Sequence, residues 1–263
     1  MKYAEKYLDA SQQILNGVAK QQSGIEQAAK WFAESILADR MVHLFGAGHS
    51  RIMVEEMWPR YGSFAGFNPI VELSLTFHNQ VGGANGQRQA MFLENRQGLA
   101  ERILRNFDLS EQDSALVVSS SGCNIVPIEM AQLFQRASIK VVAITSQKHS
   151  EASQSKHPDG LKLHDFADLV LDTGAPSGDA MVAIDDLGAP VAPGSTIGGC
   201  LLVNSIKAEV AGRLTEAGRP PTVLSAACVV GAQAATQMFE DAYDEHARTV
   251  AKLYANLGRN ADR

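Results

Sequence analysis

The apolar run Met41-Val42-His43-Leu44-Phe45 stops abruptly in Gly46-Ala47-Gly48-His49-Ser50. A run of that length reads as a buried strand, and the glycines let the chain turn tightly before a helix that starts near Ser50. Backbone N–H groups at such a turn, with the positive end of the helix behind them, form a cradle for phosphate or another anion. An ordinary strand-to-helix turn would use the same glycines for their φ angles alone. A second stretch weighs on the choice. Ser114-Ala115-Leu116-Val117-Val118 is again apolar and ends in Ser119-Ser120-Ser121-Gly122-Cys123-Asn124, ahead of a helical pattern over Ile125–Ala137. Hydroxyl and amide side chains gathered around one glycine can donate to an anion together with a helix N-terminus. Two parallel strands that end in such turns can share one crevice, which is where open α/β sheets hold ligands.

The rest of the chain alternates strand and helix. Further strands are expected at Ile70–Leu73, Lys140–Thr145 and Asp168–Leu171, with Asn68-Pro69 as a turn. That pattern implies an α/β, three-layer αβα fold on a five-stranded parallel sheet. Ile52–Trp58 reads as a short helix and Met91–Phe107 as a longer one. The polar, glycine-rich stretch from Thr76 to Gly86 is too long for a simple connection and reads as a mobile active-site loop. A hairpin is expected around Asp186-Leu187-Gly188, then a helix Ile197–Leu214 capped by Ser195-Thr196 and a last helix over Val223–Leu257. Two amphipathic helices, Tyr3–Val18 and Ile25–Leu37, precede the first strand. We read residues 1–263 as a single domain, with N-terminal helices at 1–38, an α/β core at 40–218 and a C-terminal helix at 222–257.

A net charge of -6 argues against nucleic acid as the main partner, so an anion site must be built locally by loops. Three cysteines in no Cys-x-x-Cys pair fit no disulfide framework and suit a reducing cytoplasm. Residues 1–20 lack a charged start followed by an apolar segment, and no run of about 18 apolar residues occurs, so neither export nor a membrane span is expected. His157 and His164 are seven apart with no cysteine beside them, which is not a metal-ligand spacing. No metal and no cofactor are expected.

GAGHS and SSSGCN together resemble the first and second loops of the sugar isomerase (SIS) superfamily, in the right order and over roughly residues 40 to 212. The resemblance is to an uncharacterised bacterial branch related to phosphoheptose isomerases and N-acetylmuramic acid 6-phosphate etherases. It implies a flavodoxin-like sheet, a phosphosugar or other anionic sugar as ligand, and N-terminal helices packed in a homodimer or homotetramer. It implies binding roles for Gly46, Gly48, His49, Ser50, Ser119, Ser120, Ser121, Asn124 and Ser146. It also implies a base. Glu56-Met57-Trp58-Pro59-Arg60-Tyr61-Gly62 resembles the Glu-Leu-Thr-Gly-Arg-Tyr run of the isomerases and the Glu-Cys-Pro-Pro-x-x-Gly run of the etherases, in which that Glu is a catalytic acid/base.

A carboxylate beside a bound sugar can move a proton from the carbon next to a carbonyl, through an enediol, without a metal. Aldose–ketose isomerisation with Glu56 as base is therefore the expected activity. Glu55 is the substitute should the register shift by one, and Glu94 a second carboxylate. Without the resemblance, Glu55-Glu56 reads as acidic residues favourable to a helix dipole. The isomerases carry a histidine on a late helix, and Ile197–Leu214 has none; His78, His49 and His246 are the substitutes, His78 first. Gly194-Ser195-Thr196 resembles an etherase segment, which keeps a lyase reading open. A phosphosugar sensor without catalysis is a further alternative. A nicotinamide dehydrogenase fits less well, since Arg51 stands at the third glycine position. Cys123 reads as a small loop residue.

Overall fold

The computed structural model describes residues 2–76, 86–255 and 257. Two helices come first, α1 (Tyr3–Ala19) and α2 (Gln22–Leu37). β1 (Val42–Gly46), α3 (Arg51–Met57) and β2 (Phe67–Ile70) follow, then the short helices α4 (Leu73–Thr76), α5 (Gly86–Leu93) and α6 (Leu99–Leu104). β3 (Ser114–Val118), α7 (Ile125–Arg136), β4 (Lys140–Thr145), α8 (Gln147–Ala152) and β5 (Leu169–Asp172) complete the main sheet. Beyond it lie β6 (Ala180–Val182), β7 (Val191–Pro193), the long α9 (Ser195–Glu216), α10 (Ala227–Val230) and α11 (Ala232–Lys252).

The five main strands are all parallel, in the order β2-β1-β3-β4-β5. That is the flavodoxin-like order, with its switch point between β1 and β3. The strands are apolar throughout because both faces are covered. Val42, Leu44, Leu116, Val118, Val142 and Ile144 point to the face packed by α1, α2, α3 and α9. Phe45, Ala115, Val117, Val141 and Ala143 point to the opposite face, against α6 and α7. Alternation along each strand thus divides one apolar run between two cores. Burial of one such large side chain contributes about 1.5–3 kcal/mol. α9 lies close on the sheet's edge: a Cβ at Gly198 would stand 2.0 Å from the Thr173 carbonyl oxygen.

Three expectations are corrected. Asn68-Pro69 lies inside β2, not in a turn before it, and the strand ends at Ile70. The proline is tolerated because β2 is an edge strand whose outer side needs no ladder donor; Asn68 is held inward by a 3.0 Å hydrogen bond to His43 Nδ1. The helix expected over Met91–Phe107 is broken into α5 and α6, since Gly98 takes φ 78° and its N–H donates to the Glu129 carboxylate. The last helix begins only at Ala232: Gly231 takes φ 85°, and Val223 pairs with Phe64 in an isolated antiparallel bridge. The expected hairpin is present as β6 and β7, antiparallel and separate from the main sheet. Thr76 to Gly86 falls largely outside the described residues, and so does the mobile-loop expectation placed on it. No helix among the described residues is long and apolar enough to cross a membrane.

Candidate functional site

β1 and β3 are hydrogen-bonded neighbours with Gly46 level with Val118, so the loops that leave them emerge side by side. The first loop folds back sharply: a Cβ on Gly46 would sit 2.6 Å from the Ser50 carbonyl oxygen. Gly48 and Gly122 take φ 61° and 63°, one left-handed residue in each turn. Between the loops lies an open cleft of about 510 Å³. Gly48, His49 and Ser50 line it from one side and Ser119, Ser120, Ser121 and Asn124 from the other.

The second loop is only loosely tied to itself. Ser119 Oγ accepts the Gly122 N–H at 3.2 Å and Ser121 Oγ accepts the Cys123 N–H at 3.3 Å, while Ser120 Oγ lies 3.4 Å from His149 Nδ1. Asn124 is the N-cap of α7, yet its side chain makes no capping hydrogen bond. Its Oδ1 accepts instead from Lys156 Nζ at 2.9 Å. The N-cap residue of this twelve-residue helix therefore borders the cleft and leaves the helix without a side-chain cap; of the first-turn N–H groups, that of Val126 goes to Glu94 O and Pro127 has none. The N-terminus of α9, which also reaches the cleft, is already occupied: Asp179 accepts from Ser195 N at 2.7 Å, Gly194 N at 3.1 Å and Ser195 Oγ at 2.7 Å. A carboxylate there neutralises that helix end, so an anion is better placed at α7.

The other expected residues lie as follows. Gly46 shapes the first loop without lining the cleft. Ser146 is wholly buried; it donates to Ala175 O at 2.8 Å and caps α8 by accepting from His149 N at 3.2 Å. The helix it caps carries His149, which does line the cleft. Glu55 is exposed and pairs with Arg51 at 3.2 Å on its own helix. Glu56 is not among the cleft residues. Met53, one turn before it on α3, is. Glu56 accepts from Arg60 and, at 3.0 Å, from Asn204 Nδ2 of α9, while Lys207 Nζ donates to its backbone carbonyl at 2.7 Å. Burial works to raise its pKa, but the Arg60 and Asn204 hydrogen bonds outweigh it and hold the carboxyl below the ordinary range.

Glu94 does line the cleft, and its backbone carbonyl accepts the Val126 N–H at 2.9 Å, which ties the end of α5 to the first turn of α7. His246 packs against Trp58, ring centroids 5.1 Å apart, and burial lowers its pKa; it stands away from the cleft. His78 lies outside the described residues. The buried thiol of Cys123 has its pKa raised by burial, against the pull of Lys162, and donates to Ser121 O at 3.2 Å. Sequence reasoning missed His149 and Lys156, both in the polar segment after β4. Neither has a periodic or motif signal; only the adjacency of β3 and β4 brings that segment to the second loop.

A profile of the SIS domain family matches residues 6–146. The UPF0309 protein of Listeria monocytogenes serotype 4b (strain CLIP80459) is 32% identical over 240 residues, which cover 91% of this chain and 95% of that protein. A UPF0309 protein of Halalkalibacterium halodurans is 30% identical over 240 residues, covering 91% and 94%. Among solved structures, phosphoheptose isomerase from Neisseria gonorrhoeae superposes with a TM-score of 0.50 at 14% identity, over 79% of this chain and 96% of that one. That likeness is one of fold.

Proposed function

Because the chain belongs to the SIS domain family, we propose that its cleft binds a phosphorylated sugar and isomerises it between aldose and ketose through an enediol. The observation that carries this reading is the single cleft lined by both hydroxyl loops. Ser50, Ser119, Ser120, Ser121 and the Ile125 N–H at the start of α7 supply neutral donors for the phosphate, and each net hydrogen bond contributes on the order of 1 kcal/mol. The proton is moved by a carboxylate. Glu94 and Asp179 both border the cleft, and with Asp179 bound to the start of α9 the role falls to Glu94; it takes a proton from the carbon next to the carbonyl and returns it to the former carbonyl carbon. Glu56 is the residue the family resemblance points to, but an Arg60 partner and a lowered pKa make it a weaker base. In this reading it positions α3 against α9.

The experiment is a melting screen of pentose, hexose and heptose phosphates, followed by turnover assays on the hits with wild type, Glu94→Gln and Glu56→Gln. The proposal expects Glu94→Gln to keep binding and lose at least a hundredfold in kcat, and Glu56→Gln to lose less. The reverse order would move the base to Glu56. Hits that bind and are never converted would leave a sensor. The lyase alternative draws no added support, since Ser195 is engaged by Asp179. The same proposal includes a homodimer or larger homo-oligomer: Val229, Val230 and Phe239 present exposed apolar surface, and light scattering of a monomer at micromolar concentration would remove it.

A further inference from the structure

We propose that Lys156 reads the charge of the ligand, by neutralising the anion and by fixing which end of the Asn124 amide faces the cleft. This rests on the anion-binding reading of the cleft and names a specificity residue within it. Lys156 lines the cleft, and its backbone N–H donates to Cys123 O at 2.9 Å, which pins it against the second loop. Its ammonium holds Asn124 Oδ1 at 2.9 Å. With the oxygen end of the amide taken, the Nδ2 end is the one left to donate to a ligand, and among the described residues it donates to no group. Ser119, buried at 4% exposure and bordering the same cleft, accepts one bond and gives its own proton to no acceptor among the described residues. One cleft is therefore bordered by a cation, an amide N–H₂ and a hydroxyl proton. Two of the three ammonium N–H bonds of Lys156 have no acceptor among the described residues.

A ligand group matching that set is a terminal phosphate monoester in its dianionic form, ahead of a singly charged carboxylate or sulfonate. Charge-assisted hydrogen bonds are stronger than neutral ones, and the second charge of the phosphate is the part that only a cation repays. Carboxylates also border the cleft, at Glu94 and Asp179, so loss of the lysine leaves the second charge facing acidic groups with no countercharge from this segment.

The test uses inorganic phosphate as the probe, alongside the strongest sugar phosphate from the screen. Dissociation constants are measured by calorimetry at pH 8 for wild type, Lys156→Met and Lys156→Arg, at low and high salt. Lys156→Met is expected to weaken both ligands by about tenfold to a hundredfold and to flatten the salt dependence. Lys156→Arg should stay within about threefold of wild type. Since Lys156 is exposed, the melting temperature of Lys156→Met should match wild type, which separates lost binding from lost folding. Lys156→Met binding both ligands as wild type does would overturn the assignment. Wild type that takes phosphate through Lys156 but no sugar phosphate would uphold the lysine and sink the sugar reading; wild type that takes neither would sink both.

Discussion

The two ends of the parallel sheet treat polar side chains in opposite ways. Where the strands begin, Asp113 accepts from Arg40 Nε and Nη2 at 2.8 Å each, from Ser110 N at 2.8 Å and from Met41 N at 3.4 Å. His43 Nε2 lies 3.2 Å from the same carboxylate, near enough for attraction though not aligned as a hydrogen bond, and Ser35 and Ser114 share a buried hydroxyl contact. Where the strands end, hydroxyls, an amide and an ammonium meet around an open cleft with few bonds among themselves. Polar groups that satisfy one another hold a fold together. Polar groups left short of partners beside a cleft are available to a ligand.

Substitutions can break that contrast, and the largest effect belongs at the strand starts. Asp113→Ala leaves Arg40 and His43 without their shared anion, and is expected to cost about 3–5 kcal/mol of stability in denaturant titrations. Phosphosugar affinity at a temperature where the variant is folded should be unchanged; a specific loss of affinity with stability intact would reverse the assignment of the two ends. A smaller effect is expected at the strand ends. Ser121→Ala should weaken sugar-phosphate binding by about tenfold at most, with the melting temperature within a few degrees of wild type. A large loss of stability there would mean that the loop is structural.

The pH dependence sharpens the same comparison. Burial acts to raise the Asp113 pKa, but His43 and Arg40 outweigh it, so the folded value lies below the ordinary carboxylate range. A depressed folded pKa contributes stability that is full above the unfolded carboxylate range and is lost as pH falls through the folded value. Stability of wild type should therefore decline below about pH 4, and Asp113→Asn should make the decline shallower. An unchanged acid limb in that variant would assign it to other carboxylates.

Much of this architecture is legible in the residues. Both loops and the strands before them announce themselves by apolar runs that end in glycine and hydroxyls, and the parallel sheet follows from alternation. What local pattern hides is set by distant partners. Pro69 in β2 depends on the strand being an edge, and the break at Gly98 depends on Glu129, thirty-one positions on. Lys156 reaches the cleft through a contact with Asn124, thirty-two positions earlier. Ser146 looks like a ligand hydroxyl by its place after β4, and only its bond to Ala175 reveals a buried cap. Motif resemblance points to Glu56, whereas the cleft borders Glu94, because α3 turns Glu56 toward Asn204 and Lys207 of α9.

The most direct test is a crystal structure of the chain with its strongest sugar-phosphate ligand. The account predicts phosphate oxygens within hydrogen-bond distance of Ser120, Ser121 and the first turn of α7, with Lys156 beside them. A phosphate bound at the opposite end of the sheet, or on a surface that neither loop borders, would contradict it.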